Sequence, residues 1–136
     1  MHLTGTFKVH DFKPQILTPA PGIATALPIG VSTMSKTFAG DVSGRSETLF
    51  TADFDPTSGK GTYLAMEAFQ GSLGARTGTF NFVHSATTSG TDRTNEVFLI
   101  VPHSGTGDLT GVRGGGGIAI DADGTHRIWF DLQAPT

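Results

Sequence analysis

The stretch from Thr62 to Ala86, TYLAMEAFQGSLGARTGTFNFVHSA, contains two strand-like segments joined by a short turn. In Thr77–Ala86, aromatic or small residues alternate with mostly polar ones, which is the period of a half-buried β-strand. Gly71–Arg76 separates this segment from Thr62–Gln70 and contains two glycines, which favour a turn. The stretch therefore predicts an antiparallel β-hairpin.

Similar strand patterns, with turn residues between them, recur along the rest of the chain. Six further strands are predicted at Leu3–Phe12, Val31–Ala39, Ser46–Phe54, Glu96–Val101, Leu109–Ile120 and His126–Leu132. Turns or loops are predicted at Gly40–Gly44, Asp55–Gly59, Thr87–Arg93 and Asp121–Gly124. Eight short strands predict an all-β fold, an eight-stranded antiparallel up-and-down barrel of lipocalin-like shape, because closure removes exposed sheet edges. Such a barrel has an interior that side chains nearly fill or that holds one small ligand.

The length and composition fit a single domain, 1–136, and exclude several classes of function. Nine Lys and Arg against twelve Asp and Glu give a net charge of −3 without a basic cluster, so neither nucleic acid nor a membrane is an expected partner. No apolar run is long enough to span a bilayer, and the first residues lack a signal-peptide core, so the expected location is cytoplasmic. The absence of Cys excludes disulfides, thiol nucleophiles and thiolate metal sites.

Two segments depart from the strand pattern. The glycine run Gly114–Gly117 is predicted to mark a bulge or a sharply coiled strand, the alternative being a flexible loop. The segment Pro14–Pro28 contains four of the seven prolines together with large apolar residues. We interpret this segment as a lid over one barrel mouth or a contact arm for another subunit, with a packed surface loop as the alternative.

Some of the predicted strands are apolar on both faces. In Glu96–Val101 and Ser46–Phe54, large apolar residues occupy both sets of alternate positions, whereas the outside of a monomeric barrel should be polar. A homo-oligomer interface is the expected cover, with the Pro14–Pro28 loop as the alternative. In the last strand, the pattern leaves open whether Phe130 or Trp129 points into the barrel.

Two titratable residues on otherwise apolar faces are the candidate catalytic groups. Glu67 shares a face with aromatic residues, where lost hydration raises the pKa of a carboxyl group and suits it to acid–base chemistry. The alternative is that Glu67 pairs with a basic residue such as Arg76. His84 follows Phe80 and Phe82 at a spacing of two, so it is predicted to point inward, where it donates a hydrogen bond to a ligand or moves a proton. The alternative is a core histidine that hydrogen-bonds a neighbour.

The candidate ligand-binding residues are aromatic. Tyr63, the single tyrosine, is expected to orient a ligand oxygen or to anchor the wall with its hydroxyl group in water. The predicted wall of the ligand site consists of Tyr63, Phe69, Phe80, Phe82 and Phe98. The five histidines show no metal-binding spacing, and neither a metal nor another cofactor is predicted.

Three glycine-rich motifs are SKTFAGDVSG at Ser35–Gly44, EAFQGSLGARTGTF at Glu67–Phe80 continuing to His84, and VPHSGTGDLTGVRG at Val101–Gly114. Together they resemble the motifs of a bacterial family of small uncharacterised proteins, a DUF3224-like domain of unknown function, whose fold resembles the allene oxide cyclase barrel. Ala86 and His103 depart from the family pattern at strand ends, where glycine is expected. The resemblance implies an eight-stranded antiparallel barrel, and it supplies neither an activity nor catalytic residues.

Two functions from different classes follow. The first is a cofactor-independent cyclase or isomerase that holds a small hydrophobic molecule in an aromatic barrel and uses Glu67 or His84 to move a proton or stabilise charge. The plant cyclases that the family fold resembles bind an unstable fatty-acid epoxide in an apolar barrel. The alternative is a non-catalytic small-molecule-binding or oligomeric structural barrel. The volume of the barrel cavity separates these hypotheses.

Overall fold

Eight antiparallel strands close into a barrel in the computed structural model, which describes residues 1–17, 19–20 and 22–134. The strands are β1 His2–Gln15, β2 Gly30–Gly40, β3 Val42–Phe54, β4 Gly61–Leu73, β5 Arg76–Thr88, β6 Thr94–Ile100, β7 Gly114–Ile120 and β8 His126–Leu132. Each strand pairs with the next along the chain, and β1 pairs with β8 to close the ring. The predicted all-β barrel is therefore confirmed. Within the described ranges the single helix is a 3₁₀ turn at Gly107–Leu109, and no helix there is long and apolar enough to cross a membrane.

The connections are tighter than predicted at the lower end of the barrel, which we define as the end where β1 begins and β8 ends. The predicted turn Gly40–Gly44 shrinks to Asp41, because β2 continues to Gly40 and β3 begins at Val42. The predicted turn Gly71–Arg76 similarly shrinks to the two residues between β4 and β5. The prediction for Leu109–Ile120 is wrong at its start, since Leu109 lies in the 3₁₀ turn and β7 begins at Gly114.

The lower half of the barrel interior is filled by an aromatic core. The rings of Phe80 and Phe130 meet edge to face with their centres 5.5 Å apart, and Phe69 lies 5.0 Å from Phe80. Such pairs contribute about 0.5–1.5 kcal/mol each beyond the burial of their area. The core consists of Leu3, Phe7, Phe38, Val42, Phe69, Leu73, Phe80, Phe82, Ile100, Leu109, Val112, Ile118, Ile128, Phe130 and Leu132. Leu109 and Val112 come from the connection between β6 and β7, which therefore closes the lower end.

The glycine run Gly114–Gly117 lies in β7 and pairs with β8 without a shift in register, so the bulge and the flexible loop are wrong, whereas the sharply coiled strand stays a prediction. All four glycines pair in register with β8. A Cβ atom on Gly116 would lie 2.0 Å from the backbone oxygen of Trp129 and 3.0 Å from the ring of Phe98. A Cβ atom on Gly117 would lie 2.3 Å from the indole of Trp129. Glycine is required because neighbouring backbone and rings occupy the space that side chains would need.

The junction between β6 and β7 is the weakest in the ring. In the described part of the chain a single residue pair, Leu99 with Gly115, is aligned there, whereas five or more pairs are aligned at every other junction. The carboxylate of Glu96 crosses this junction and accepts a hydrogen bond from the backbone N–H of Ile118 at 3.4 Å. A side chain thus replaces part of the missing backbone ladder.

The outer wall carries a row of large apolar side chains across β3, β4, β5 and β6. The row consists of Leu49, Met66, Val83 and Leu99, which the register aligns with one another. Leu49 is 65% exposed and Met66 46% exposed, so nothing in the described chain covers the row. Phe130 of the last strand points into the barrel and Trp129 points outward, which settles the orientation that the sequence leaves open. Cover of the wall by a second copy stays a prediction.

The segment Pro14–Pro28 is described except for positions 18 and 21, which lie outside the described residues. Its first two residues extend β1, and the side chains of Ile16, Leu17 and Ile23 are exposed. Its role as a lid or a contact arm stays a prediction.

Replacing Gly116 with Ala is expected to lower the free energy of unfolding by about 1–3 kcal/mol, because the added methyl group displaces the backbone of β8. Gly30→Ala is the matched control, since a Cβ atom there would come no closer than 3.5 Å to the backbone oxygen of Ala52. Urea unfolding followed by circular dichroism measures both variants. Equal stability of the two would contradict the packing described for β7.

Candidate functional site

The upper half of the barrel interior, opposite the lower end, forms an open cavity of about 340 Å³. Its apolar wall consists of Phe7, Val9, Phe12, Met34, Phe50, Phe54, Ala65 and Ile118. Its polar and titratable side chains are Lys36, Tyr63, His84, Thr88, Arg93 and His126. A groove of about 560 Å³ lies on the outer wall around Leu49 and Met66. The interior is the candidate site because it combines aromatic walls with several titratable groups.

A buried ion pair lies between the cavity and the aromatic core. The Nζ atom of Lys36 lies 2.7 Å from Oε2 of Glu67, and the hydroxyl of Ser46 donates to Oε1 at 2.8 Å. The side chains of Lys36 and Glu67 are 9% and 0% exposed. Lys36 also lies over the ring of Phe7, 4.9 Å from its centre. The register produces this cluster, because it aligns Lys36 of β2 with Ser46 of β3.

Glu67 belongs to this pair and does not line the cavity. Each of its carboxylate oxygens accepts a hydrogen bond within the protein, one from Lys36 and one from Ser46. The alternative interpretation, in which Glu67 pairs with a basic residue, describes its environment, although the partner is Lys36 and not Arg76. Arg76 instead donates two hydrogen bonds to the backbone oxygen of Asp108.

Tyr63, His84 and Glu96 form a hydrogen-bonded chain, which we call the relay. Nε2 of His84 lies 2.7 Å from the carboxylate of Glu96, and Nδ1 lies 3.2 Å from the hydroxyl of Tyr63. Because a carboxylate only accepts hydrogen bonds, we assign the imidazole proton to Nε2, and Nδ1 then accepts from the Tyr63 O–H. β4, β5 and β6 each supply one member, and Phe98 supports the imidazole with its ring centre 5.5 Å away.

Burial determines the protonation states in the relay. It lowers the pKa of His84 more than the hydrogen-bonded Glu96 carboxylate raises it, so the imidazole is neutral at neutral pH. Burial also raises the pKa of Tyr63, whose hydroxyl therefore stays protonated. At the cavity wall, the pKa of His126 is lowered by burial and then by two positive side chains nearby. The resting relay is a phenol, a neutral imidazole and a carboxylate.

Of the predicted ligand-binding residues, Tyr63 lines the cavity. Phe69, Phe80 and Phe82 are fully buried in the lower core and do not line it. Phe98 stacks on Phe82 with ring centres 5.2 Å apart and supports the wall from outside the cavity. Alternation identifies the face to which each ring belongs, but it does not give the distance of that ring from the barrel mouth.

Several residues at the cavity are not singled out by the sequence analysis. Phe50 and Phe54 lie four residues apart on one face of β3, and Lys36 lies two residues from Met34 and from Phe38 on one face of β2. The same periodic signal was therefore available for them. Arg93 and Glu96 lie on either side of the start of β6, close to a shift in register with β5. Periodicity gives no indication of their direction there.

Within the described ranges no group of three or more His, Cys, Asp or Glu residues could hold a metal ion.

Comparisons with known proteins identify one family. The family model described as "Protein of unknown function (DUF3224)" matches residues 3–132. The chain is similar to a crystal structure of a DUF3224-family protein of unknown function from Shewanella oneidensis MR-1, with 29% sequence identity and a TM-score of 0.81. The similarity covers 100% of this chain and 98% of that chain. No curated protein matches the chain.

Lys36→Met is expected to lower the free energy of unfolding by about 3–5 kcal/mol, because it leaves the Glu67 carboxylate buried without its cation. The double variant Lys36→Met/Glu67→Gln removes both charges and keeps an acceptor for the Ser46 hydroxyl, so it should be more stable than the single variant. Urea unfolding at pH 7 measures the difference. A double variant that is no more stable than Lys36→Met would show that the pair is not the source of the effect.

The lowered pKa of His84 predicts that stability falls in mildly acidic solution. Since the folded pKa lies below the ordinary value of 6.5, the unfolded chain binds the proton first as the pH falls. The stabilising contribution is therefore complete above about pH 6.5 and is lost as the pH falls through the folded value. Unfolding free energies between pH 7.5 and 5.5 should fall less steeply in His84→Gln than in the wild type, leaving the slope due to His126. An unchanged slope would contradict the assignment.

Proposed function

The chain belongs to the DUF3224 family of proteins of unknown function, and we propose that its cavity binds a small, largely apolar molecule and transfers a proton on it. The observation that carries the proposal is the relay, in which Tyr63 and His84 reach an otherwise mostly apolar cavity wall. The proposal keeps the predicted role of His84 and replaces Glu67 with Glu96 as the carboxylate that assists it.

The size and wall of the cavity support binding of an apolar molecule. Its volume of about 340 Å³ lies within the range of roughly 300–1,000 Å³ that is usual for small-molecule sites. At ~30 Å³ per water molecule, the volume equals that of about eleven waters. Phe50 stacks on Tyr63 with ring centres 5.5 Å apart, so the surroundings of the Tyr63 hydroxyl are aromatic. Transfer of apolar ligand surface from water to such a wall contributes about 25 cal/mol per Å².

The relay supports acid–base chemistry in which the proton is balanced at each step. The Tyr63 oxygen takes a proton from a carbon of the ligand while its own proton passes to Nδ1 of His84. The resulting imidazolium is stabilised at Nε2 by the carboxylate of Glu96. The electron pair left behind moves onto a carbonyl oxygen of the ligand. The Tyr63 hydroxyl then protonates a different atom of the ligand while the imidazolium returns its proton to the Tyr63 oxygen, and the net result is an isomerisation.

This chemistry fits an isomerase or cyclase acting on a small carbonyl compound with the chain's own acid–base groups. Contact with several aromatic walls restricts the ligand to few orientations, and in well-oriented reactions orientation contributes about 7–11 kcal/mol to lowering the barrier. A non-catalytic carrier is the second candidate function. It is favoured by one observation, namely that the Tyr63 hydroxyl and both nitrogens of His84 are already hydrogen-bonded within the protein.

Deuterium uptake from D₂O into the positions next to the carbonyl of 2-tetralone, followed by ¹H NMR, tests the catalytic proposal. Uptake should be saturable and faster than in buffer alone. Tyr63→Phe and His84→Gln should each slow it by about a hundredfold or more while the ketone still binds. Ala65→Phe, which fills the cavity, should abolish both uptake and binding. Ala68→Phe, on the outer face of the same strand, is the matched control and should retain both.

Two outcomes would contradict parts of this proposal. Unchanged uptake in Tyr63→Phe and His84→Gln would exclude the relay as the source of proton transfer. Binding of 2-tetralone, seen as saturable shifts in ¹⁵N spectra of the protein, without uptake above the buffer rate would identify a carrier instead of an isomerase.

A further inference from the structure

We propose that the cavity selects a ligand with one anionic group, a carboxylate in the simplest case, and that Arg93 binds this group. The inference rests on the proposed function, since it names the chemical class of the molecule that occupies the cavity. It adds that the molecule is amphipathic, with an apolar body among the aromatic walls and a single negative charge beside Tyr63.

The guanidinium of Arg93 has no counter-ion among the described residues. The ion pairs in the part of the chain that the structure describes do not include Arg93. In the described part of the chain, its Nη1 atom donates to the hydroxyl of Thr88 at 3.1 Å and to the backbone oxygen of Asp92 at 2.9 Å. Its Nε atom is buried and has no hydrogen-bond partner among the described residues. The guanidinium therefore keeps donor capacity at Nη2 that the described residues do not use.

The other cationic side chain that lines the cavity is paired within the protein. Lys36 is paired with Glu67, whose carboxylate is fully buried. The carboxylate of Glu96 accepts from His84 and from a backbone N–H of β7. Glu96 does not line the cavity, so Arg93 is the charged side chain of the described lining that has no ion-pair partner among the described residues.

The position of Arg93 places its charge over the aromatic wall. Its Cζ atom lies 5.8 Å from the centre of the Tyr63 ring. Its charge lowers the pKa of His84 and of His126 in addition to the effect of burial, and it opposes the rise in the pKa of Tyr63 that burial causes. Tyr63, His84 and His126 thus lie within reach of the Arg93 charge, and the charge of Glu96 acts in the opposite direction on Tyr63 and His84.

The geometry of a guanidinium specifies the kind of anion. Nη1 is engaged by the protein and Nε is buried, so Nη2 is the nitrogen of the guanidinium that the described residues leave free to donate to a ligand. The two N–H groups of Nη2 can donate charge-assisted hydrogen bonds to the oxygens of a carboxylate. A carboxylate bound there lies beside Tyr63, and the apolar remainder of the molecule extends along Phe50 and Phe7 towards the floor of the cavity.

Affinities for 2-naphthoate and for uncharged 2-naphthamide, measured at pH 7.5 by calorimetry, test the inference. The two probes share an apolar body of a size that suits the cavity and differ in charge. We expect the wild type to bind 2-naphthoate about tenfold more tightly or better, since a hydrogen bond to a charged group is stronger than one to a neutral group. Arg93→Gln should bring the two affinities within about twofold. Arg127→Gln, which alters an exposed arginine paired with Asp121, is the matched control and should keep the preference.

The results separate this inference from the proposed function. Equal affinities of the wild type for the two probes would overturn the anion preference and leave apolar binding intact. A preference that persists in Arg93→Gln would overturn the assignment to Arg93. Failure of the wild type to bind either probe would overturn the proposed binding function together with this inference. If Arg93→Gln does not fold, Arg93→Lys is the second variant, since it keeps the positive charge and removes the planar guanidinium. A reduced preference for 2-naphthoate in Arg93→Lys would support the proposed geometry. An unchanged preference would overturn it.

Discussion

Lys36 and Glu67 place two opposite charges inside a barrel, at a depth where both side chains are almost completely shielded from water. Such a pair is tolerated only if each charge has its partner and the remaining lone pairs are hydrogen-bonded, and Ser46 supplies the additional hydrogen bond. This requirement restricts the register of β2, β3 and β4, since a slip of one residue would turn a charge to the outer wall. The pair also divides the interior. Aromatic rings fill the space below it, whereas the cavity lies above it, where the small side chain of Ala65 forms part of the wall.

The glycine strand and the relay are connected through Phe98. Because Gly116 has no side chain, the ring of Phe98 packs directly against β7. From that position Phe98 contacts both the core and the imidazole of His84. The orientation of His84 then allows its two nitrogens to reach partners on β4 and β6, the strands that flank β5. The absence of a side chain at Gly116 thus fixes the position of Phe98, and Phe98 in turn helps to orient His84.

Periodicity in the sequence predicted the eight strands because a spacing of two residues reports the pleat of a strand directly. It also predicted that Tyr63 and His84 point inward. This part of the candidate site could be predicted because the direction of a side chain follows from the pattern of its own strand. The height of a side chain along the barrel axis depends on the stagger between strands, so alternation assigns Phe80 to a ligand wall although it lies in the core. The pairing of Glu67 with Lys36 joins residues 31 positions apart, and the choice between Lys36 and Arg76 required the register.

The junction between β6 and β7 has a single aligned residue pair in the described chain, so we expect these two strands to separate before any other pair in the ring. Separation of β6 from β7 would leave the backbone hydrogen bonds of the seven other junctions in place. We therefore expect this local opening to require much less free energy than global unfolding. Separation exposes two strand edges, which is ordinarily a hazard for aggregation. One of these edges is rich in glycine, a residue that disfavours strand pairing, and it therefore offers a poor template to another chain. The junction at which we expect the barrel to open is thus bordered by a glycine-rich strand that pairs poorly with strands of other chains.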